Sequence, residues 1–414
     1  MHVSDEHADQ VGRPGWVRSY VVTVLAMMAI QASSLGFSPL IPYMKDAWRM
    51  SYTQMGTFTG LYGLVALLMS VPAGILAKRF GEKPILVGGL LLATVGLLVV
   101  GLAQNYLQGL AARTVWLIGY RLAFICVVTA VSITVPTRWR GNAMGLLGAL
   151  TALATVLGSG FSNTMQALLG WRLSMMGFGL MTLAGAAVMA RGYRSGAAAG
   201  PTAAAARPQR SPFAAFKVPI VWVIPLLGLA NAAGFAATFF VPAVVRGQLH
   251  GSPAQASAII AIAYGLAIVV NPVAGYLADR FDRWWVLAGL CALMLPACAL
   301  MSSTNIYLFA CATAALVSLG HASANQVYPT AAGLLRGRDT GPIMGIVGLG
   351  SGLFGYLGPQ ALGWMRDYSG GFDLGWHVIM LTTFGVIALL LWLRQYVRRQ
   401  AAGGPGSAAV LRGK

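Results

Sequence analysis

Apolar runs of about 20 residues recur along almost all of this 414-residue chain, and they limit its fold more than any other feature. A segment crossing hydrocarbon must satisfy its backbone hydrogen bonds internally, and as a helix it needs roughly 20 mostly apolar residues to do so. Twelve segments meet that rule, near 19–43, 54–76, 84–103, 108–135, 143–168, 174–190, 218–245, 255–277, 284–302, 305–331, 341–364 and 375–396. Only 9% of the residues are charged, against about 25% in soluble domains. A water-soluble enzyme of several domains is therefore excluded. The 52 glycines fit the same picture, because small residues let membrane helices approach closely. Cys126, Cys291, Cys298 and Cys311 all lie inside apolar runs without metal-ligand spacing, and read as small core residues. Asp5, Glu6 and Asp9 precede the first run, which argues against a cleavable signal peptide.

The formal net charge of +18 would suggest nucleic acid in a soluble chain; here it reports topology. Of the 28 lysines and arginines, 21 fall in the N-terminus, the even-numbered connections and the C-terminus. Lys45, Arg49, Arg172, Arg246 and Arg366 lie on the other side, and Arg113 and Arg121 fall inside the fourth span. The bias places both termini in the cytoplasm of a bacterial-type inner membrane. The Ala-, Gly- and Pro-rich stretch between Arg191 and Lys217 divides the chain. The expected layout is a tail over 1–18, a six-helix bundle over 19–190, a linker over 191–217, a second bundle over 218–396 and a tail over 397–414.

The two halves repeat. Gly74-Ile-Leu-Ala-Lys78-Arg79-Phe80-Gly81-Glu82-Lys83 follows the second span, and Gly275-Tyr-Leu-Ala-Asp279-Arg280-Phe281-Asp282-Arg283 follows the eighth, offset by 201 positions. Met144-Gly145 and Met344-Gly345 recur at an offset of 200. Both copies of the longer motif lie on one side of the membrane, so the repeats are parallel.

On these motifs the sequence resembles the major facilitator superfamily over nearly its whole length, and Arg113, 27 residues before Arg140, is similar to that family's second motif arginine. The resemblance implies an all-α fold of twelve membrane helices in two parallel six-helix repeats, with alternating access to a central site. It implies a gating set of Gly74, Arg79, Gly81, Lys83, Gly275, Asp279, Arg280 and Arg283. Lys78 stands where the family usually carries aspartate, which only the second copy keeps, as Asp279. Gly158-Ser159 replaces the Gly-Pro typical of the family's drug antiporters, which argues against drug efflux. The resemblance also makes the first, fourth, seventh and tenth spans the cavity-lining set. Anion-transporting members tend to carry arginines on the second and eighth spans; none lies at depth there in this chain, and no subfamily is assigned.

All ten acidic residues lie in termini, loops or helix ends, so no carboxylate is available at mid-membrane for a cation or a proton relay. The charge at depth is positive. Arg121 lies near the middle of its span, where insertion disfavours arginine by about 2.5–3.5 kcal/mol. Its planar fork of donors suits a carboxylate, with a helix–helix tie to carbonyls or amides as the bland alternative. At the repeat offset of 200, Arg121 maps onto His321, which shares one helical face with Ser318, Asn325 and Tyr328. Imidazole titrates nearest neutrality of the side chains, so His321 is the candidate proton carrier; a neutral histidine bonded to a neighbour is the alternative. Gln31 pairs with Asn231 at the same offset and shares a face with Ser34 and Ser38. Tyr62, Tyr264 and Tyr356 are within reach of a cavity, with packing the simpler role for each; Tyr356 joins the candidate set.

The substrate-binding candidates are thus Arg121, Gln31, Asn231, Asn325, His321 and Tyr356. The expected activity is secondary transport of a small organic anion, monocarboxylate-like, coupled to protons. Neutral or amphipathic solutes, or a transport-inactive sensor, are the alternatives. The sequence lacks HExxH, Cys/His metal spacing and a buried carboxylate base, so neither an enzyme, a metal nor a cofactor is expected. The expected partners are an anionic small molecule, protons and the lipid bilayer, not nucleic acid, with the chain acting as a monomer.

Overall fold

Helix ends in this chain are set by proline, glycine and a few capping side chains, because the interiors are too uniformly apolar to stop a helix. The computed structural model describes residues 16–193, 223–332 and 340–402, and every regular element among them is helical. α1 (Trp16–Gly36) gives way to a 3-10 turn at Ser38–Leu40 and resumes as α2 (Ile41–Trp48). Pro39 and Pro42 each stand in an opening turn, where a missing N–H leaves no bond unmade. α3 (Tyr52–Phe80) ends at Gly81, whose φ of 86° favours glycine, and α4 (Glu82–Leu102) begins directly after it. The Asn105 side chain accepts from the Gln108 N–H to open α5 (Tyr106–Thr134). α6 (Thr137–Gly192) is two rods joined at Gly170, φ 80°, between the spans expected over 143–168 and 174–190.

In the second half a 3-10 turn at Ile224–Gly228 leads into α7 (Leu229–Gly247). A capping box of Ser252 and Gln255 opens α8 (Pro253–Arg280), and Asp282 caps α9 (Arg283–Leu300). α10 (Ile306–Ala332), α11 (Thr340–Ser369) and α12 (Asp373–Ala402) complete the chain. Ten helical stretches among the described residues are long and apolar enough to cross a membrane. One of them, Asn142–Gly192, holds both rods of α6, and α11 adds a further 30-residue helix. The twelve expected spans are accounted for in an all-α membrane protein.

The division of each helix into a packed and a lipid-facing side follows from spacing. On α4, Leu86, Leu90, Ala93, Leu97 and Val100 are buried, whereas Leu91, Val95, Val99 and Leu102 are exposed. A helix apolar all round, bare on one stripe, belongs in lipid. Cys311 corrects the reading of all four cysteines as core residues: it is exposed on α10 with Tyr307 and Leu308, and the other three are buried.

The chain forms two compact units. One comprises Met1–Arg49 and Leu68–Ala206, the other Met50–Leu67 and Arg207–Lys414. In the first, α1 crosses the first rod of α6 at Gly36 and Gly158; a Cβ on Gly158 would collide with the Ala32 carbonyl oxygen. Ser162 Oγ donates to the Gly36 carbonyl at 2.7 Å beside that crossing. The Gly158-Ser159 pair thus serves close helix contact. At another corner of this unit Arg172 donates to the carbonyls of Gly101 (3.1 Å) and Ala103 (2.6 Å) at the α4 C-terminus, where a cation suits the helix dipole.

In the second unit, the start of α3 lies on α11 along Gly56, Gly60 and Gly63, each too close to the facing backbone to carry a side chain. Asp367 caps α3 from that neighbour. Its Oδ1 accepts the Tyr52 N–H at 3.0 Å, and its Oδ2 accepts the Thr53 N–H and the Thr53 hydroxyl, both at 2.7 Å. Partial burial pushes the Asp367 carboxyl up, but these hydrogen bonds outweigh it and hold the group below its ordinary value. A carboxyl lowered by folding stabilises above its unfolded pKa, and that contribution is lost as pH falls through the lower folded value. Asp367→Asn is therefore expected to lower the melting temperature at neutral pH, by a loss of about 1 kcal/mol at this exposed cap. The gap between wild type and variant should close below about pH 4. Thermal scans across pH check this; a gap unchanged at pH 3 would show that the charge is not what caps α3.

Candidate functional site

The sequence-predicted site residues fall into two groups of polar side chains, one in each unit. In the first unit α1 contributes Gln31 and α5 contributes Tyr120 and Arg121. Tyr120 Oη donates to Gln31 Oε1 at 2.7 Å, a buried pair that ties α1 to α5. The rings of Tyr120 and Phe124 stack with centroids 6.0 Å apart. The Arg121 guanidinium carbon lies 5.8 Å and 5.9 Å from those two rings, and the residue is half-buried. Near Gln31, the hydroxyls of Ser34 on α1 and of Ser38 in the following 3-10 turn are buried.

Arg113, on the same helix, has a different environment. It is fully buried, with its guanidinium carbon 4.3 Å from the Phe37 ring and 4.8 Å from the Trp116 ring. Those two rings meet edge to face at 5.3 Å. Aromatic faces stabilise a desolvated cation, so Arg113 holds the α1–α5 corner together. The joint after α1, which carries Phe37, is what builds this cage. Arg113 lies nearer the end of the span and Arg121 nearer its middle, and of the two only Arg113 is fully buried.

In the second unit, Ser318, His321 and Asn325 of the expected stripe are described on α10. Ser318 is buried and its hydroxyl donates to the Ala314 carbonyl at 2.6 Å, which removes it from the candidates for contact with a solute. His321 Nε2 lies 3.3 Å from Tyr264 Oη on α8, and Tyr264 Oη lies 3.3 Å from Thr238 Oγ1 on α7. Phe235 stands 6.1 Å from the His321 ring and 5.2 Å from Tyr62. One turn further along α10, Asn325 Nδ2 donates to Asn271 Oδ1 at 3.2 Å, with Asn325 exposed. Tyr356 is half-buried on α11, its ring against Gly60 of α3. The side chains of Asn231 and Tyr328 lie outside the described residues.

Sequence reasoning did not single out Tyr120 and Asn271. Tyr264, for which packing was the simpler role, is buried, and its hydroxyl also meets two other polar side chains. The available signals were Asn271 inside an otherwise apolar run, and Tyr264 one position from the repeat equivalent of Tyr62. Among the described residues, no three His, Cys, Asp or Glu side chains gather as a metal cluster.

The gating motifs lie at the lysine- and arginine-rich ends. In the first unit Lys83 Nζ donates to the Tyr193 carbonyl at 2.8 Å, and Tyr193 Oη donates to Glu82 Oε1 at 3.2 Å. Gly81 supplies the positive-φ break, Gly74 is open on its missing-Cβ side, and Arg79 stacks on Phe80 at 5.3 Å. Lys78 has no described side chain. In the second unit Asp279 pairs with Arg283, four residues on, at 3.0 Å, and both are exposed. Arg280 stacks on Tyr276 at 4.6 Å, and a Cβ on Gly275 would lie 3.9 Å from Gln326 Nε2.

The acid that joins helices here is Asp282. It accepts the Trp284 N–H at 3.1 Å as the α9 cap and the Arg394 Nε–H at 2.8 Å from α12, with Arg398 at 3.8 Å. Arg394 also stacks on Trp285 at 4.9 Å. Arg394 is Tyr193 displaced by 201 positions, so both repeats tie the start of their third helix to the end of their sixth. An exposed i,i+4 pair contributes about 0.3–0.5 kcal/mol, whereas a cap alone contributes about 1 kcal/mol. Asp282→Ala should therefore lower the melting temperature of purified protein several times more than Asp279→Ala. Equal shifts would contradict this ranking.

Residues 20–247 and 226–411 match the sequence model of the Major Facilitator Superfamily. The "Multidrug resistance protein MdtH" of Enterobacter sp. (strain 638) is 27% identical over 398 residues, 89% of this chain and 93% of that protein. The "Probable nitrate/nitrite transporter NarK2" of Mycobacterium tuberculosis is 28% identical over 322 residues, 73% of this chain and 78% of that one. Among solved structures, a bacterial homologue of the human lysosomal transporter Spinster, inward-facing and occupied, superposes with a TM-score of 0.78 at 15% identity. That alignment covers 92% of this chain and 97% of that one.

Proposed function

Since the chain belongs to the Major Facilitator Superfamily and is a membrane transporter of that family, we propose that it moves a small organic anion together with a proton by alternating access. The observation that carries this reading is Arg121, half-buried in the middle of α5, in a sequence whose ten carboxylates all fall in termini, loops or helix ends. A cation there costs free energy to insert, which an anionic solute offsets when it binds. Arg113, sealed between aromatic rings, does not compete for that role. Arg121 takes the negative charge, Gln31, Asn231 and Asn325 supply neutral hydrogen bonds, and His321 takes the proton. On this reading both termini face the cytoplasm, which the distribution of lysine and arginine supports.

The similarity to a nitrate/nitrite transporter supports the anion reading. The similarity to a multidrug resistance protein over most of the chain supports the alternative, an amphipathic or neutral solute. Transport of radiolabelled short-chain monocarboxylates, sugars and a lipophilic dye by purified protein in liposomes separates the two. Monocarboxylate movement that rises with an imposed pH gradient supports the proposal. Dye or sugar movement without acid transport overturns it.

A further inference from the structure

The hydrogen bonds around His321 fix which of its ring nitrogens carries the proton when the imidazole is neutral. Each hydroxyl has one hydrogen to donate. Thr238 Oγ1 donates its hydrogen to the Gly234 carbonyl of α7 at 2.9 Å. In the 3.3 Å contact between Thr238 and Tyr264, Thr238 can then only accept, and Tyr264 must be the donor. Tyr264 has no second hydrogen, so in its 3.3 Å contact with His321 it can only accept. His321 Nε2 must supply that hydrogen.

We infer that neutral His321 is held as the Nε2–H tautomer by a one-way relay from α10 through Tyr264 of α8 to Thr238 and the α7 backbone, which leaves Nδ1 as its acceptor and the site of proton uptake. Tyr264 and Thr238 are positioning residues. Nδ1 has no hydrogen-bond partner among the described residues. The ring is gripped on one edge by the relay, and on its face by Tyr264 at 5.2 Å between centroids. Histidines used for proton chemistry are commonly oriented by a bond at the other nitrogen. The consequence concerns substrate form. With Nδ1 bare, neutral His321 offers an acceptor, which suits a protonated acid; once protonated, it offers a donor, which suits the carboxylate. The single proton can lie on Nδ1 facing a carboxylate or on the acid facing bare Nδ1, in one hydrogen bond, with no change in the relay.

The tautomer follows from geometry alone, while its part in transport rests on the function proposed above. Nitrogen-15 NMR of protein labelled only at its five histidines, in lipid and at a pH where the ring is neutral, reads the tautomer directly. The His321 signals are those absent from the His321→Gln spectrum. The expected result is a protonated, pyrrole-type Nε2 and a bare, pyridine-type Nδ1. Thr238→Val keeps the shape but removes the acceptor, so the Tyr264 hydroxyl turns to His321 and the tautomer should change to Nδ1–H. Tyr264→Phe should leave a mixture. A wild-type Nδ1–H tautomer overturns the inference, as does a tautomer unmoved by Thr238→Val. If the tautomer changes as expected but acid accumulation under a pH gradient does not, the relay stands and the proton-carrying role of His321 falls.

Discussion

Arg121→Gln is expected to weaken binding of an anionic substrate about 100-fold, and Arg121→Lys about tenfold, with both variants folding as wild type does. A charge-assisted hydrogen bond contributes about 1.5–3 kcal/mol, and a hundredfold change in affinity is about 2.7 kcal/mol. Glutamine removes the cation at the middle of α5 and keeps a polar group of moderate size. Lysine keeps the charge but presents a point donor in place of a planar fork, so a bidentate carboxylate contact is lost while long-range attraction remains. Arg121 is half-buried, with its guanidinium carbon near 6 Å from the Tyr120 and Phe124 rings.

Arg113 is the internal control, because it is fully buried between Phe37 and Trp116. Arg113→Gln should lower thermal stability and yield, since it removes a caged cation and leaves polar atoms among rings, yet surviving protein should bind substrate normally. Affinity and melting temperature measured on detergent-purified variants decide the matter. Should Arg121→Gln and Arg121→Lys bind an established anionic substrate as tightly as wild type, the anion-site reading is wrong. A pattern of low stability and normal affinity at both positions would make Arg121 a second structural arginine.

The helices were legible in the sequence because a membrane span is a one-dimensional property: apolar length is sufficient to find it. The break at Gly170 and the capped starts at Asn105, Ser252 and Asp282 are local as well, each written within four residues. What was not legible is which side chains meet. Tyr120 finds Gln31 across 89 positions, Tyr264 finds His321 across 57, and Arg394 finds Asp282 across 112. Such pairs depend on helix rotation and crossing, which hydropathy does not encode. Tyrosine adds to the difficulty, because its ring packs as an apolar body and its hydroxyl acts only where a partner lies at the tip. The same cause separates Arg113 from Arg121. Their depths in the span differ, but the cage around Arg113 depends on Phe37, brought in at the end of α1. The Asp279 motif residue, prominent in the sequence, keeps an exposed partner four residues away. The helix-joining acid is Asp282, three residues later.

His321→Gln is expected to separate exchange from accumulation. Glutamine is close to histidine in reach, and its amide N–H can donate to Tyr264 Oη as the Nε2–H does, so the α8–α10 contact should survive. It cannot take up a proton near neutral pH. If the proton that drives uptake resides on His321, the variant should exchange labelled for unlabelled substrate within about threefold of the wild-type rate, because exchange needs only substrate binding and the rocking of the two halves. Accumulation driven by an inside-alkaline gradient should fall to the level set by passive equilibration. A merely structural histidine predicts a different pattern, in which exchange and accumulation decline together in proportion to the folded protein remaining. Both quantities are read in one liposome preparation, so differences in yield cancel. Intact gradient-driven accumulation in His321→Gln would remove His321 from the coupling mechanism. The proton would then have to travel on the substrate as the undissociated acid, or through water in the site. In the second case Arg121 would bind the anion without a titratable partner on α10, and Arg121→Lys would shift substrate affinity equally at every pH at which the acid is ionised.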